Sequence, residues 1–268
     1  MAADFFFDSA GVALHYVADG AGEPVVLLHS FCGSVERDFV ASGLFAALAA
    51  RFRVIGLDLR GHGKSSKPHD PRQYGREMAL DVVRLLDHLR LPNAHIVGYS
   101  LGAHVTAQLL SLHPARFISC TLGGAPGRRC WSAEDDRRVA VEAREIACGE
   151  MRTQLLRLWP TSQPPPSEAQ IRARTEKVLA GNDPNALAAL RLANADQVVS
   201  DEVLAATGVP TLGLVGSEDA YRDEFRALAK AMPQLTLVEI DGAGHDDAPS
   251  RAEFRDALIA FVDAHSQR

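Results

Sequence analysis

The amino-acid sequence predicts a mixed α/β fold built on a mostly parallel sheet. Short apolar runs with the composition of β-strands alternate with stretches of helical periodicity, which is typical of this class. The two earliest runs flank a turn signal at residues 8–11 and indicate an antiparallel hairpin, whereas the later runs are compact and apolar, as buried parallel strands are. The predicted strands are residues 5–7, 13–17, 25–28, 53–57, 95–98, 117–122, 211–215 and 236–240.

Apolar residues at helical spacing predict two amphipathic helices that cover this sheet. One presents Met78, Val82 and Leu85 on a single face, and the other, near the C-terminus, presents Phe254 and Leu258. Both therefore have one face suited to packing on the sheet.

The strand signals stop after residue 124 and resume only at residue 208. The intervening sequence is helical and rich in arginine and alanine, and a proline-rich run at 161–167 predicts a stiff connector within it. We therefore expect residues 1–124 and 208–268 to form the core, and residues 125–207 to form a helical subdomain inserted after the sixth strand.

Composition and charge exclude several classes of function. Of 268 residues, 47% are hydrophobic and 23% charged, values typical of soluble globular proteins. The formal charge is −6, without the basic clusters that bind nucleic acid or anionic lipid, and no apolar run is long enough to cross a bilayer. We expect a soluble cytoplasmic protein that binds neither nucleic acid nor membranes. Its oligomeric state is not indicated.

The four cysteines carry no disulfide or metal-site spacing. No short C-x-x-C motif joins Cys32, Cys120, Cys130 and Cys148, and a chain of this length does not need crosslinks to fold. We interpret them as free thiols that behave as small buried hydrophobic residues. No His, Cys or carboxylate cluster has metal-ligand spacing, so no metal is expected.

The strongest chemical motif is the G-x-S-x-G sequence at residues 98–102. It follows a predicted strand and precedes a helix, which is the context of a nucleophile elbow centred on Ser100. A turn this sharp crowds the neighbouring backbones, so positions 98 and 102 require residues without a Cβ atom. The N–H of Leu101 lies unpaired at the N-terminus of the next helix, where the dipole favours negative charge.

A serine hydroxyl is a weak nucleophile, so a histidine base and an orienting carboxylate are expected elsewhere, in the chain order Ser, acid, His. His245 lies in a glycine-rich loop after the last predicted strand and is the candidate base. Asp219 follows the preceding strand and is the candidate acid. Glu218, Asp246 and Asp247 remain alternative carboxylates.

These features resemble the α/β-hydrolase superfamily, and within it the capped esterases, lactonases, carbon–carbon bond hydrolases and cofactor-free perhydrolases. Residues 27–31 look like its His-Gly-X oxyanion loop, and residues 58–65 look like its D-x-R-G-x-G-x-S loop. The resemblance covers nearly the whole chain. It implies an α/β-hydrolase fold with an eight-stranded, mostly parallel sheet flanked by helices, residues 125–207 as a helical cap, and an oxyanion hole formed by the N–H groups of Phe31 and Leu101.

Two positions depart from the family pattern. Ser30 stands where a glycine is usual, and Cys32 where a small or apolar residue is common. Neither change removes a backbone donor, but Ser30 can alter how the Phe31 N–H is presented. Asp58 and Arg60 are expected to hold loops together rather than to contact substrate.

The candidate pocket residues are Cys32, Trp131 and Trp159, the two tryptophans lying in the expected cap. The neighbouring arginines are interpreted as a solvated face; they are Arg128, Arg129, Arg137 and Arg138.

The resemblance implies a serine hydrolase that cleaves small to medium carboxylic esters or lactones through an acyl-enzyme on Ser100, without cofactor. Carbon–carbon bond hydrolysis, peracid formation and acyl transfer use the same triad and remain alternatives. A ligand receptor on the same fold is an alternative outside the enzyme class. A serine at the elbow argues against haloalkane dehalogenases and epoxide hydrolases, which have an aspartate there.

Overall fold

A computed structural model describes residues 3–160 and 162–266, and over these residues eight strands form one sheet. The strand order is β1-β2-β4-β3-β5-β6-β7-β8. β1 and β2 form the predicted antiparallel hairpin, β2 pairs antiparallel with β4, and the other neighbours are parallel. Each predicted strand lies within an observed one, so the fold-class prediction is confirmed. The strands are β1 Ala3–Ser9, β2 Val12–Asp19, β3 Pro24–Leu28, β4 Arg53–Leu57, β5 Ala94–Tyr99, β6 Phe117–Gly123, β7 Thr211–Gly216 and β8 Leu235–Ile240.

Helices connect most of the strands. None of the helices described is long and apolar enough to span a membrane. The α-helices are α1 Leu44–Ala49, α2 Arg76–His88, α3 Leu101–Leu112, α4 Ala133–Ala147, α5 Arg152–Arg157, α6 Glu168–Leu179, α7 Pro184–Leu192, α8 Asp201–Ala205, α9 Arg222–Ala231 and α10 Ala252–His265. A π-helical turn lies at Glu36–Val40, and 3₁₀ turns lie at Pro71–Gln73, Pro114–Arg116, Asn194–Gln197 and Ala248–Ser250.

The sheet is covered on both faces. Neighbouring residues of β3 belong to different apolar clusters. Val26 packs in a cluster with residues of α2, α3 and α9, and Val25 packs in a cluster with residues of α1 and α10. Such burial on both faces explains why the parallel strands are continuously apolar. Met78 and Leu258 are fully buried on α2 and α10, which confirms the two predicted amphipathic helices.

The segment 125–207 contains α4 to α8 and contributes no strand to the sheet. Ser132 and Ser167 begin α4 and α6 with capping boxes. In each, the serine hydroxyl accepts a hydrogen bond from the backbone N–H of the third helical residue, and the side chain of that residue accepts one from the serine N–H. A third apolar cluster joins Ile146 and Leu187 of this segment to Cys32 in the loop after β3. Of the predicted proline-rich connector, residue 161 lies outside the described residues.

Asp58 and Arg60 hold loops together, as the sequence predicts. The Asp58 carboxylate accepts hydrogen bonds from the backbone N–H groups of Val35 and Lys64, each at 2.9 Å. The Arg60 guanidinium donates two bonds to the Asp81 carboxylate at 2.6 and 2.5 Å, with both side chains buried. These contacts fix the loops after β3 and β4 against α2.

All four cysteines are free thiols. Cys32 and Cys120 are buried, as expected of small apolar residues, whereas Cys130 and Cys148 are exposed. The prediction of burial is wrong for the latter two because both lie at the edges of α4, in connections that face solvent.

Candidate active site

Ser100 lies on the sharp turn between β5 and α3 with left-handed backbone angles, φ 52° and ψ −104°. A Cβ atom at Gly98 would lie 2.2 Å from the carbonyl oxygen of Gly102, and one at Gly102 would lie 2.0 Å from that of Leu28. Both distances are far inside van der Waals contact. The turn therefore requires both glycines, for the reason inferred from the motif.

Ser100, His245 and Asp219 form one chain of hydrogen bonds. The Ser100 hydroxyl lies 2.9 Å from His245 Nε2, and His245 Nδ1 lies 2.9 Å from Asp219 Oδ2. Because a carboxylate accepts at Nδ1, that nitrogen carries the proton and Nε2 is left to accept from the serine. Tyr99 donates its hydroxyl to the backbone carbonyl of His245 at 2.5 Å, and the Tyr221 N–H donates to Asp219 Oδ1 at 2.9 Å.

The alternative carboxylates all have other partners. Glu218 accepts from the hydroxyl of Ser162, Asp246 pairs with Arg174, and Asp247 pairs with Arg251 at 2.7 Å. Of the four candidate carboxylates, Asp219 is the one that contacts the His245 ring.

The loop after β3 is fixed to the nucleophile turn through His29. Its Nδ1 donates to the Ser30 carbonyl at 2.8 Å and its Nε2 accepts from the Leu59 N–H at 3.0 Å, so the ring is in one neutral tautomer. The Gly102 N–H donates to the His29 carbonyl at 3.1 Å. Within the described part of the chain, no acceptor is bonded to the N–H groups of Phe31 or Leu101.

Ser30 and Cys32 occupy this loop without disturbing its donors. The Ser30 N–H and hydroxyl both donate to Asp38 Oδ2, at 2.8 and 2.7 Å. Cys32 is 2% exposed, and burial raises the pKa of its thiol to about 12, so it is an uncharged wall residue. Its backbone has a positive φ of 61°.

A cavity of about 560 Å³ opens beside Ser100 and His245. Residues of the loop after β3 form one side, and residues of α5 and α6 with the chain after α5 form the other. Cys32 and Trp159 line this cavity, together with Phe31, Met151 and Leu155. Its walls are mixed, with apolar side chains beside polar and charged ones such as Arg37, Arg174 and Lys177.

Trp131 is not among the residues that line this cavity. Its indole N–H donates to Asp136 Oδ1 at 2.7 Å on the first turn of α4, and the Arg128 guanidinium lies over its ring at 5.9 Å. These contacts hold the ring at the start of α4 and away from Ser100.

A second, smaller cleft lies beside Ser100 and contains three arginines that the sequence analysis did not select: Arg128, Arg157 and Arg191. The interpretation of Arg128 as part of a solvated face is wrong, because this half-buried side chain lines the cleft with its Nε shielded from solvent. Desolvation lowers its pKa to about 10. Arg157 and Arg191 each lie within an apolar stretch of a helix, and a lone arginine in such a run is the signal that could have identified them.

Over residues 3–160 and 162–266, no group of three or more His, Cys, Asp or Glu side chains could hold a metal ion. Two other buried histidines have their pKa lowered: His62 to about 3 and His104 well below its usual value, in both cases chiefly by burial. Both rings are therefore neutral and remain apart from the Ser100–His245–Asp219 chain.

Comparisons with known proteins agree with this fold. The family model described as alpha/beta hydrolase fold matches residues 23–146. RutD of Variovorax paradoxus, named as a carbamate hydrolase, is 29% identical over 93% of this chain and 96% of its own. An acetyltransferase component of an acetoin cleaving system from Pseudomonas putida is 40% identical, but the match spans 40% of this chain and 28% of that longer protein.

Solved structures match over nearly the whole chain. A thermophilic esterase from Thermogutta terrifontis has a TM-score of 0.80 with 22% identity, and the match covers 100% of both chains. The enol-lactonase from Burkholderia xenovorans LB400 has a TM-score of 0.76 with 26% identity, over 97% of this chain and 100% of its own.

Proposed function

Because the chain belongs to the α/β-hydrolase superfamily, and the relatives that match over nearly its full length include esterases and an enol-lactonase, we propose that it is a serine hydrolase of small to medium carboxylic esters or lactones. The observation that carries this proposal is the continuous contact from Ser100 through His245 to Asp219 at the wall of a cavity of about 560 Å³.

In the proposed reaction Ser100 attacks the substrate carbonyl and forms an acyl-enzyme. His245 accepts the serine proton at Nε2 and then delivers it to the leaving alkoxide. Asp219 keeps the proton on Nδ1 and stabilises the imidazolium that forms. A water molecule activated by His245 then releases the acid. These steps need neither a metal nor an organic cofactor.

The Phe31 and Leu101 N–H groups are the proposed oxyanion hole. They border the cleft next to Ser100 and have no acceptor within the described residues, so both are free for the developing negative charge. Such a donor typically stabilises the transition state by about 3 kcal/mol.

Residues 125–207 are the proposed cap, and residues 1–124 and 208–268 the proposed core. Met151, Leu155 and Trp159 of the former face Phe31 and Cys32 of the latter across the cavity. A bounded space of about 560 Å³ suits a small-molecule substrate rather than a nucleic acid or a lipid surface. We expect the enzyme to act in the cytoplasm.

Labelling with a serine-directed phosphonate tests the proposal. The wild-type protein should hydrolyse p-nitrophenyl butyrate and take up one phosphonate, and Ser100→Ala should lose both while melting at a similar temperature. Ser111→Ala is the matched control, because Ser111 lies on the same helix and donates to the Gln108 carbonyl, away from the cavity. Labelling of Ser100→Ala with retained turnover would refute the assignment.

A substrate panel separates the alternatives that share this triad. Esters, lactones and vinylogous diketones should be compared at equal concentration, with hydrogen peroxide and alcohols added as competing acceptors. We expect ester or lactone hydrolysis to be fastest. Binding without turnover of any member would favour a receptor.

A further inference from the structure

The small cleft beside Ser100 is chemically unlike the large cavity. The two spaces meet at Ser100, Phe31 and Gln154, but the cleft has a volume of only about 20 Å³, room for a group of very few atoms. Among the described residues, its walls contain three arginines and no carboxylate. A substrate whose carbonyl lies at Ser100 therefore has one substituent within reach of a positively charged recess.

Two of the three guanidinium groups of the cleft, those of Arg157 and Arg191, share a single buried carboxylate. Glu142 Oε1 lies 3.2 Å from Arg157 Nε, and Glu142 Oε2 lies 3.2 Å from Arg191 Nε. Arg138, outside the cleft, also lies 3.6 Å from Glu142. Arg128 forms no ion pair with any described carboxylate, and its Nε has no hydrogen-bond acceptor. The recess consequently keeps an excess of positive charge.

Arg157 and Arg191 already have structural roles. Arg157 donates to the Tyr221 hydroxyl at 2.9 Å, and the Arg191 guanidinium lies 4.1 Å from the centre of the Phe31 ring while it donates to Gln154. Among the described residues Arg128 has neutral partners: the amide oxygen of Asn194 at 3.0 Å, in the orientation that satisfies hydrogen bonding, and the Trp131 ring, whose centre lies 5.9 Å away. Arg128 is thus the cation of the cleft that lacks a counter-charge.

Arg128 is half-buried, and its Nε is shielded from solvent without a hydrogen-bond acceptor. Desolvation of a cation without a counter-charge is unfavourable, and an anion that binds there offsets this cost. Burial lowers the pKa of Arg128 to about 10, so the group is still charged at neutral pH. The exposed Glu224 lies near enough to interact with Arg128 and Arg157 electrostatically, but it forms no ion pair with them. Asp219 is bonded to His245.

We propose that this cleft is a carboxylate-binding subsite, and that the preferred substrate is an ester or lactone with a free carboxylate a few bonds from the scissile carbonyl. The inference rests on the proposed serine hydrolase function. A planar carboxylate matches the guanidinium fork, and the small volume favours it over the bulkier phosphate.

Two pairs of isosteric esters test the subsite. The first pair tests the acyl side: monoethyl succinate carries a carboxylate where ethyl 4-methylpentanoate carries an isopropyl group. The second pair tests the alcohol side: 3-acetoxypropanoate carries a carboxylate where 3-methylbutyl acetate carries an isopropyl group. Hydrolysis is followed by proton release at constant pH. We expect kcat/KM of the wild-type enzyme to be at least about tenfold higher for the charged member of one pair, the scale of one hydrogen bond to a charged group.

Arg128→Gln should bring that ratio close to one, and Arg128→Lys should retain part of it. Arg137→Gln is the matched control. This substitution also removes one positive charge, but Arg137 is exposed at the start of α4 and does not line the cleft. Its ratio should equal that of the wild-type enzyme.

A wild-type ratio of one or less for both pairs would overturn the subsite, and so would an equal loss of activity on both members in Arg128→Gln. If the Arg128 variants do not fold, the wild-type ratio and competitive inhibition of the neutral ester by succinate decide the question. Absence of turnover for all four esters, with no phosphonate labelling, would instead refute the proposed function.

Discussion

Ser30 and Asp38 are joined by two hydrogen bonds to one carboxylate oxygen, from the serine N–H at 2.8 Å and from its hydroxyl at 2.7 Å. The N–H that follows along the chain is that of Phe31. The orientation of this proposed oxyanion donor therefore depends on a residue of the π-helical turn Glu36–Val40, which the resemblance to the family did not indicate.

Replacement of Asp38 should impair turnover more than binding. Asp38→Ala leaves both Ser30 donors unpaired and loosens the loop, so we expect kcat to fall by about ten- to a hundredfold with little change in KM. Glu36→Ala, at an exposed position of the same turn, is the control and should keep wild-type kcat. Steady-state kinetics on p-nitrophenyl butyrate measure both. A raised KM at constant kcat would show that Asp38 does not position the donor.

Replacement of Asp219 should be far more damaging than replacement of its neighbour. Asp219→Asn favours the wrong imidazole tautomer of His245, and kcat should fall by a factor on the order of 10³ to 10⁴. Glu218→Gln should change it little, because Glu218 contacts Ser162 and not the ring. The opposite ranking would transfer the role of the acid to Glu218.

The bounded cavity predicts an optimum in acyl chain length. Each buried methylene should gain up to about 0.8 kcal/mol until the space of about 560 Å³ is full, after which kcat/KM should fall. A p-nitrophenyl ester series from acetate to palmitate measures this. We expect a maximum at short to medium chains and no activation at an oil–water interface. A steady rise to palmitate would indicate a lipase.

His62 should make the fold sensitive to acid. Burial lowers its pKa to about 3 in the folded protein, against roughly 6.5 in the unfolded chain. The unfolded state therefore binds more protons between these values, and the stability that the neutral ring provides is complete above pH 6.5 and lost as the pH falls toward 3. At pH 5 the loss is about 2 kcal/mol.

Urea unfolding at pH 7.5 and pH 5.0 tests this contribution. The wild-type protein should lose about 2 kcal/mol more between the two pH values than His62→Gln, which does not titrate. Equal losses in the two proteins would mean that His62 is also neutral in the unfolded state or is solvated in the folded one.

Local sequence patterns were sufficient to predict the sheet and the proximity of Ser100, His245 and Asp219 at its edge. Each strand is an apolar run bounded by turn residues, and the glycines of the elbow are required by the backbone itself. Ser100, Asp219 and His245 all follow strands, and parallel strands end at one edge of a sheet, so their proximity follows from their places in the sequence.

Contacts between distant helices were not predictable in this way. Arg128 follows β6, Arg157 ends α5 and Arg191 lies on α7, and the folded chain brings the three to one cleft. Nothing in their spacing along the chain indicates this. Asp38 is one carboxylate among many until the fold brings it to Ser30. Trp131 was selected by residue type alone, and a nearby aspartate holds it elsewhere.

The backbone of Ser100 has a consequence for stability. A left-handed conformation at a residue other than glycine costs on the order of 1–3 kcal/mol. Ser100→Gly and Ser100→Ala should be equally inactive, but the glycine variant should unfold at the higher temperature, the reverse of their usual order. If alanine were the more stable, the turn would not be strained.

The backbone conformation that exposes the Ser100 hydroxyl thus lowers the stability of the folded protein. Selection for heat resistance alone would exchange Ser100 for glycine and end catalysis, so a thermostable descendant must gain its stability at positions remote from β5 and α3. The same strain makes this turn a sensitive reporter of the integrity of the sheet beneath it, since the conformation persists only while β3, β5 and β6 hold its ends.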